Sequence, residues 1–303
     1  MRSARTRVQW SGWTDLRCPP IAVPLAAVVV ITAAVAVWSG LVHRPFGGPG
    51  FTLALPAAVI LATFVGWNQL GFASTDLRAW RETLLVIGAL LMIVGMMFVE
   101  RVGSPAEVLA YAIGSVEEEL VFRLAAPLAT GGFAAWVLGR PVTDLRAWGN
   151  VPCTVAVVTS AVVFTCMPGH LAQVAGPLQL VPFLAIAMLL TYIVLRTGAL
   201  LPGIAVHALL NLATVAHLDG AIPYPAWVVI VAVGLGAYAM GAERAGRRLG
   251  LLAPAAGRRP WLPGSLATSA TKPSPADGPP SRRARGADGS PSGTRSGRPL
   301  RRS

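Results

Sequence analysis

The sequence predicts an all-α integral membrane protein, a bundle of about eight transmembrane helices, and three observations carry that prediction. Of the 303 residues, 54% are hydrophobic and only 13% are charged, with a mean hydropathy of +0.61; soluble domains do not have this composition. The apolar residues gather into runs near the roughly 20 residues that a helix needs to cross a hydrocarbon core about 30 Å thick. Arginine concentrates in alternate connections between those runs, the asymmetry expected of a polytopic chain.

In chain order the runs are 20–42, 51–72, 83–99, 105–126, 152–175, 177–195, 197–218 and 223–241. Residues 1–19 form a polar, basic N-terminal segment. No small-residue cleavage site follows the first run, so it is expected to stay as an uncleaved anchor. Arg2, Arg5, Arg7 and Arg17 precede that span, while Arg78 and Arg81, then Arg140 and Arg146, then Arg196 follow even-numbered spans. Odd-numbered spans are followed only by Arg44 and Arg101. The expectation is a multi-pass protein of the cell membrane with both termini cytoplasmic.

The transmembrane domain is assigned to 20–241, and from 242 to 303 the composition turns to Arg, Gly, Pro and Ser. Such a tail cannot bury enough apolar surface to offset the entropy of ordering it. It is expected to be disordered and cytoplasmic, either plainly solvated or lying against anionic lipid headgroups. Most of the +12 formal charge is in this tail, and no nucleic-acid partner is expected. Cys18, Cys153 and Cys166 show no CxxC spacing, so they suggest structural roles and no disulfide frame.

Thr-Asp-Leu-Arg occurs at 14–17, 75–78 and 143–146, each time before an outward-going span and near Trp13, Trp80 or Trp148. Thr or Asp can cap a short helix, Arg can snorkel to phosphates and Trp favours the headgroup level. The reading is one local device for starting a span, used three times.

Ionisable groups inside spans cost at least about 2.5 kcal/mol each on insertion scales, so they mark function or pairing. The fourth span holds Glu117, Glu118, Glu119 and Arg123, the fifth His170, and the seventh His207 and Asn211. Glu119 and Arg123 are four positions apart and are expected to pair along one helix face. Glu118 is then left to act, and an apolar cavity strengthens a carboxylate as a general base toward water. Glu117 is expected to face away from it by about 100°. His207 and Asn211, also four apart, point into one cavity, where they could bind a metal, polarise a carbonyl or donate to an oxyanion. Three such clusters on three spans favour chemistry over packing glue.

These residues resemble the membrane-embedded CPBP proteases, also called the CAAX-protease and bacteriocin-processing or Abi family. The family's Glu-Glu-x-x-x-Arg motif is matched by Glu118, Glu119 and Arg123 with Phe122 before the Arg, and its His-x-x-x-Asn motif by His207 and Asn211. The similarity covers about 107–215. The middle motif, Phe-x-x-x-His, is matched by His170 alone: Cys166 stands where the Phe belongs and Phe164 is two positions early. Bringing His170 to the depth of Glu118 requires the fifth span to break at Pro168.

The resemblance implies an intramembrane endopeptidase acting on a membrane-associated peptide or protein, as CAAX-type prenyl proteases do. Glu118 with His170 would activate water, and His207 with Asn211 would stabilise the oxyanion. Metal participation is disputed in the family; if a divalent ion such as zinc is used, Glu118, His170 and His207 are its expected ligands. The alternative is a catalytically inactive immunity or scaffold protein of the same fold. A transporter is the third reading, but no two halves of the chain match, and no HExxH helix points to a zincin.

Overall fold

Residues 18–42, 52–101, 103–171 and 176–248 are described by the computed structural model. The expectation for the basic segment before residue 18 lies outside the described residues, as does the first Thr-Asp-Leu-Arg copy; of the tail assigned to 242–303, residues 242–248 instead continue the last helix, with Ala242 and Ala245 buried, and 249–303 lie outside the described residues.

Local signals set the helix boundaries. Ser104-Pro105-Ala106-Glu107 opens α4 (Pro105–Glu119) with a reciprocal capping box: the Ser104 hydroxyl accepts from Glu107 N–H, the Glu107 carboxylate accepts from Ser104 N–H, and proline occupies the first turn. One turn of π-helix, Leu120–Ala125, joins α4 to α5 (Ala126–Val137). Before these come α1 (Ala22–Trp38), α2 (Ala54–Val65) and α3 (Ser74–Arg101); after them α6 (Asn150–Thr165), the single turn α7 (Pro168–Leu171), α8 (Pro177–Thr197), α9 (Leu200–Leu218) and α10 (Tyr224–Arg248). Between α8 and α9 stands Gly198 at φ +69°, a left-handed cap that a side chain would strain and that reverses the chain within two residues.

The expected count of about eight spans divides. Among the described residues, five helices are long and apolar enough to cross a membrane: α3, α4 continued through α5, α8, α9 and α10. Three others, α1, α2 and α6, are apolar but shorter. Apolar runs overstate helix length wherever they contain breakers. In the run 51–72 the α-helix ends at Val65, where Gly66 at φ +98° breaks it and a short 3-10 turn, Trp67–Leu70, follows, and 152–175 is interrupted before Pro168. Run 105–126 fails in the other direction, because the helix continues to Val137. Pro127 does not stop it, since the π turn just upstream opens the ladder where the proline ring would collide.

Packing forms two apolar clusters. In one, α1, α2, α5 and α6 close around the π turn, with Leu61, Leu124, Leu128 and Trp148 fully buried. The other lies among α3, α9 and α10, around Ile87, Leu209 and Tyr238. The polar residues of α4 and α9 lie at the seam between them.

The two described Trp residues near the Thr-Asp-Leu-Arg copies correct the headgroup expectation. Trp80 and Trp148 are fully buried; Trp80 stacks on Tyr238 with ring centroids 5.7 Å apart, and Trp148 fills the space left by Gly131. Each is held by protein, which gains more from an indole's area than the interface does. The second copy opens α3 with Asp76 in its first turn, and the third leads into a short 3-10 helix, Leu145–Ala147, its Thr143 carbonyl accepting from Cys18 N–H at 3.1 Å. Cys18 and Cys153 are buried, as structural thiols would be, while Cys166 is exposed.

Candidate active site

The end of α4 presents three carboxylates to three environments because successive side chains on a helix turn by about 100°. Glu117 does face away from its neighbour. It is buried and accepts from Thr52 N–H at 2.9 and 3.0 Å and from the Thr52 hydroxyl. That puts a carboxylate at the N-terminus of α2, where the helix dipole favours it, and ties α2 to α4 immediately before the site.

Glu119 is wholly buried. Its Oε1 lies 3.4 Å from Arg123 Nε, the pair expected from the spacing, and also accepts from His207 Nδ1–H at 2.8 Å. Arg123, equally buried, lays its guanidinium 4.5 Å over the Phe164 ring. Glu119 therefore orients a histidine as well as neutralising an arginine, a double role that spacing alone did not show.

Glu118 remains 31% exposed, and this openness separates it from its neighbours: of the three glutamates it alone can meet water and a substrate. Its Oε2 is 3.0 Å from His207 Nε2 and 3.8 Å from His170 Nε2.

His170 reaches this point because the fifth apolar run breaks. After α6 ends at Thr165 the chain turns, and Pro168 starts a separate turn carrying His170 back over the end of α6. Its Nδ1–H donates to the Phe164 carbonyl at 2.6 Å, leaving Nε2 aimed at Glu118. The ring lies 4.1 Å from Phe164 and 5.2 Å from Phe183. Phe164 thus performs the aromatic support that a continuous helix would ask of position 166, and the break explains its two-residue offset. It also packs edge-on to Phe122 at 5.2 Å and to His207 at 5.5 Å.

The π turn does further positioning. Ser160 of α6 donates its hydroxyl to the Phe122 carbonyl, fixing α6 against the widened turn that carries Arg123. On α9, Asn211 shares the His207 face and donates Nδ2–H to Ser115 Oγ at 3.2 Å; that hydroxyl in turn donates to the Tyr111 carbonyl at 2.8 Å. Asn211 is thereby held against α4 one turn before Glu118. Of the residues singled out in the sequence, Glu118, Glu119, Arg123, His170 and His207 converge in direct contacts, and Asn211 joins them through Ser115.

Residues 101–213 match the family model described as Type II CAAX prenyl endopeptidase Rce1-like. The match runs from the last residue of α3 into α9, so all six residues of the cluster fall within the Rce1-like segment and α1, α2 and α10 lie outside it. The likeness to CAAX proteases read from the motifs is thus found independently, and it supports a membrane protease at that general level. No curated protein and no solved structure matches the chain.

Whether the Rce1-like cluster suits a metal can be judged from its donors. Imidazole and carboxylate are the right chemistry for zinc, but among the described residues no group of three or more His, Cys, Asp or Glu is arranged to hold a metal ion. No step below is routed through a metal.

Proposed function

We propose that the chain is an intramembrane endopeptidase of the glutamate type, cleaving a membrane-associated peptide or protein. The observation that carries this reading is Glu118 Oε2, on the one partly open carboxylate of the cluster, facing both imidazoles at 3.0 and 3.8 Å. In the reaction a water beside Glu118 gives its proton to the carboxylate as its oxygen adds to the scissile carbonyl carbon. His170, its Nδ1 occupied by the Phe164 carbonyl, holds that water through Nε2. His207 and the second amide hydrogen of Asn211 donate to the oxygen on which negative charge develops. As the tetrahedral intermediate collapses, the proton passes from Glu118 to the leaving nitrogen. The substrate class follows the family's name, a prenylated peptide presented from the bilayer surface, and the cluster's place in the spans supports cleavage close to the membrane. The arginine distribution supports termini on the cytoplasmic side.

The test is a peptidase assay on the full chain reconstituted in vesicles, using lipidated and unlipidated peptides. Glu118→Gln keeps the shape and removes the base, so cleavage should fall at least about a hundredfold, the scale of a lost general base, with an unchanged melting temperature. A chelator should leave the wild-type rate intact. A wild type that cuts no member of the panel would favour the inactive immunity or scaffold reading, and full activity in Glu118→Gln would remove Glu118 from the chemistry.

A further inference from the structure

Behind His207, on the side away from Glu118, two oxygens have no hydrogen-bond partner among the described residues: Glu119 Oε2 and Tyr238 Oη. Both side chains are wholly buried. Both approach the bare backbone of Gly203 on α9, where an added Cβ would lie 2.9 Å from Glu119 Oε2 and 3.4 Å from Tyr238 Oη, so the absence of a side chain lets the two oxygens converge. The Arg123 guanidinium nitrogens, also buried, likewise have no hydrogen-bond partner among the described residues. Tyr238 cannot swing its hydroxyl elsewhere, since its ring is stacked on Trp80 at 5.7 Å. A site with two or more convergent polar groups, no side chain of its own and no route to solvent suits one internal water.

We propose that Tyr238 is a positioning residue for the reaction, its hydroxyl holding Glu119 Oε2 through one water in front of Gly203 and so fixing the carboxylate that orients His207. The relay runs from Tyr238 through the water to Glu119, then His207, then the reacting carboxylate. Buried groups that orient a reacting side chain are in general felt nearly as strongly as the side chain itself. Tyr238 belongs to α10, outside the Rce1-like segment 101–213, so neither motifs nor family match point to it. This inference rests on the peptidase reading for its kinetic consequence but not for the hydrogen-bonded link.

Two readouts on the reconstituted full chain separate those parts. In the peptide assay, Tyr238→Phe should lower kcat about tenfold with KM within about twofold and the melting temperature little changed. In infrared difference spectra, a carboxylate band should shift in Tyr238→Phe, and the same band should vanish in Glu119→Gln. Wild-type kcat in a stable Tyr238→Phe would overturn the positioning role. Superimposable infrared spectra would overturn the link. If the wild type cleaves nothing, the peptidase reading fails and the infrared comparison alone decides the link.

Discussion

Glu118 and Glu119 are neighbours in the chain with opposite surroundings, one 31% exposed and one sealed. Glu119 offers a single oxygen to both Arg123 and His207, so its replacement is felt twice. Glu119→Gln should destabilise the protein by about 3–5 kcal/mol, the usual cost of stranding a buried charge, and should loosen His207 as well. Adding Arg123→Met should restore part of the stability but not the full activity, because the neutral amide then facing His207 Nδ1–H no longer holds it with a charge-assisted hydrogen bond. Thermal unfolding in detergent alongside the peptide assay checks both halves; a stable, fully active Glu119→Gln would refute the double role. The Glu119–Arg123 pair was legible in the sequence because a four-residue spacing fixes a shared face. The contact to His207 was not, since 88 residues separate the partners and only tertiary packing joins them. Tyr238 was hidden for a related reason: in an apolar run a lone tyrosine looks like any other core aromatic.

At the scale of elements, the junctions between helices place the chemistry. A π turn carries Arg123 and leaves the Phe122 carbonyl for Ser160, and a separate turn at Pro168 brings His170 to Glu118. Ser160→Ala should strand a buried carbonyl and cost about 1–3 kcal/mol, read as a lower melting temperature with a smaller loss of kcat. An unchanged melting temperature would mean that the π turn does not depend on that bond. Hydropathy found the helices but misjudged their ends, because a sliding sum of apolar residues registers neither Gly66 at positive φ nor the freedom that a π turn gives Pro127. Pro168 was readable as a break. What the break would do to His170 was not, because the direction of the chain after it depends on how Phe164 and Phe183 pack.

For the whole molecule, the two apolar clusters differ in the lengths of their helices. Around the π turn are α1, α2 and α6 with 17, 12 and 16 residues; on the other side of the seam are α3, α9 and α10 with 28, 19 and 25. At 1.5 Å of rise per residue, α2 spans only about 18 Å and α3 about 42 Å. A bilayer surrounding this bundle cannot match both flanks, and the mismatch is relieved by thinning against the short one and by tilt of the long one. Headgroups and water would then dip toward α2 and α6, the flank whose helices meet the α4 end carrying Glu118. A peptide anchored at the surface would need to sink less far on that flank than on the other. Turnover should accordingly rise in vesicles whose hydrocarbon core is a few Å thinner than about 30 Å and fall in thicker ones, with the melting temperature of the protein following a different trend. Rates that ignore acyl-chain length across such a series would show that the dimple is not how hydrophobic thickness and access to the carboxylate are reconciled.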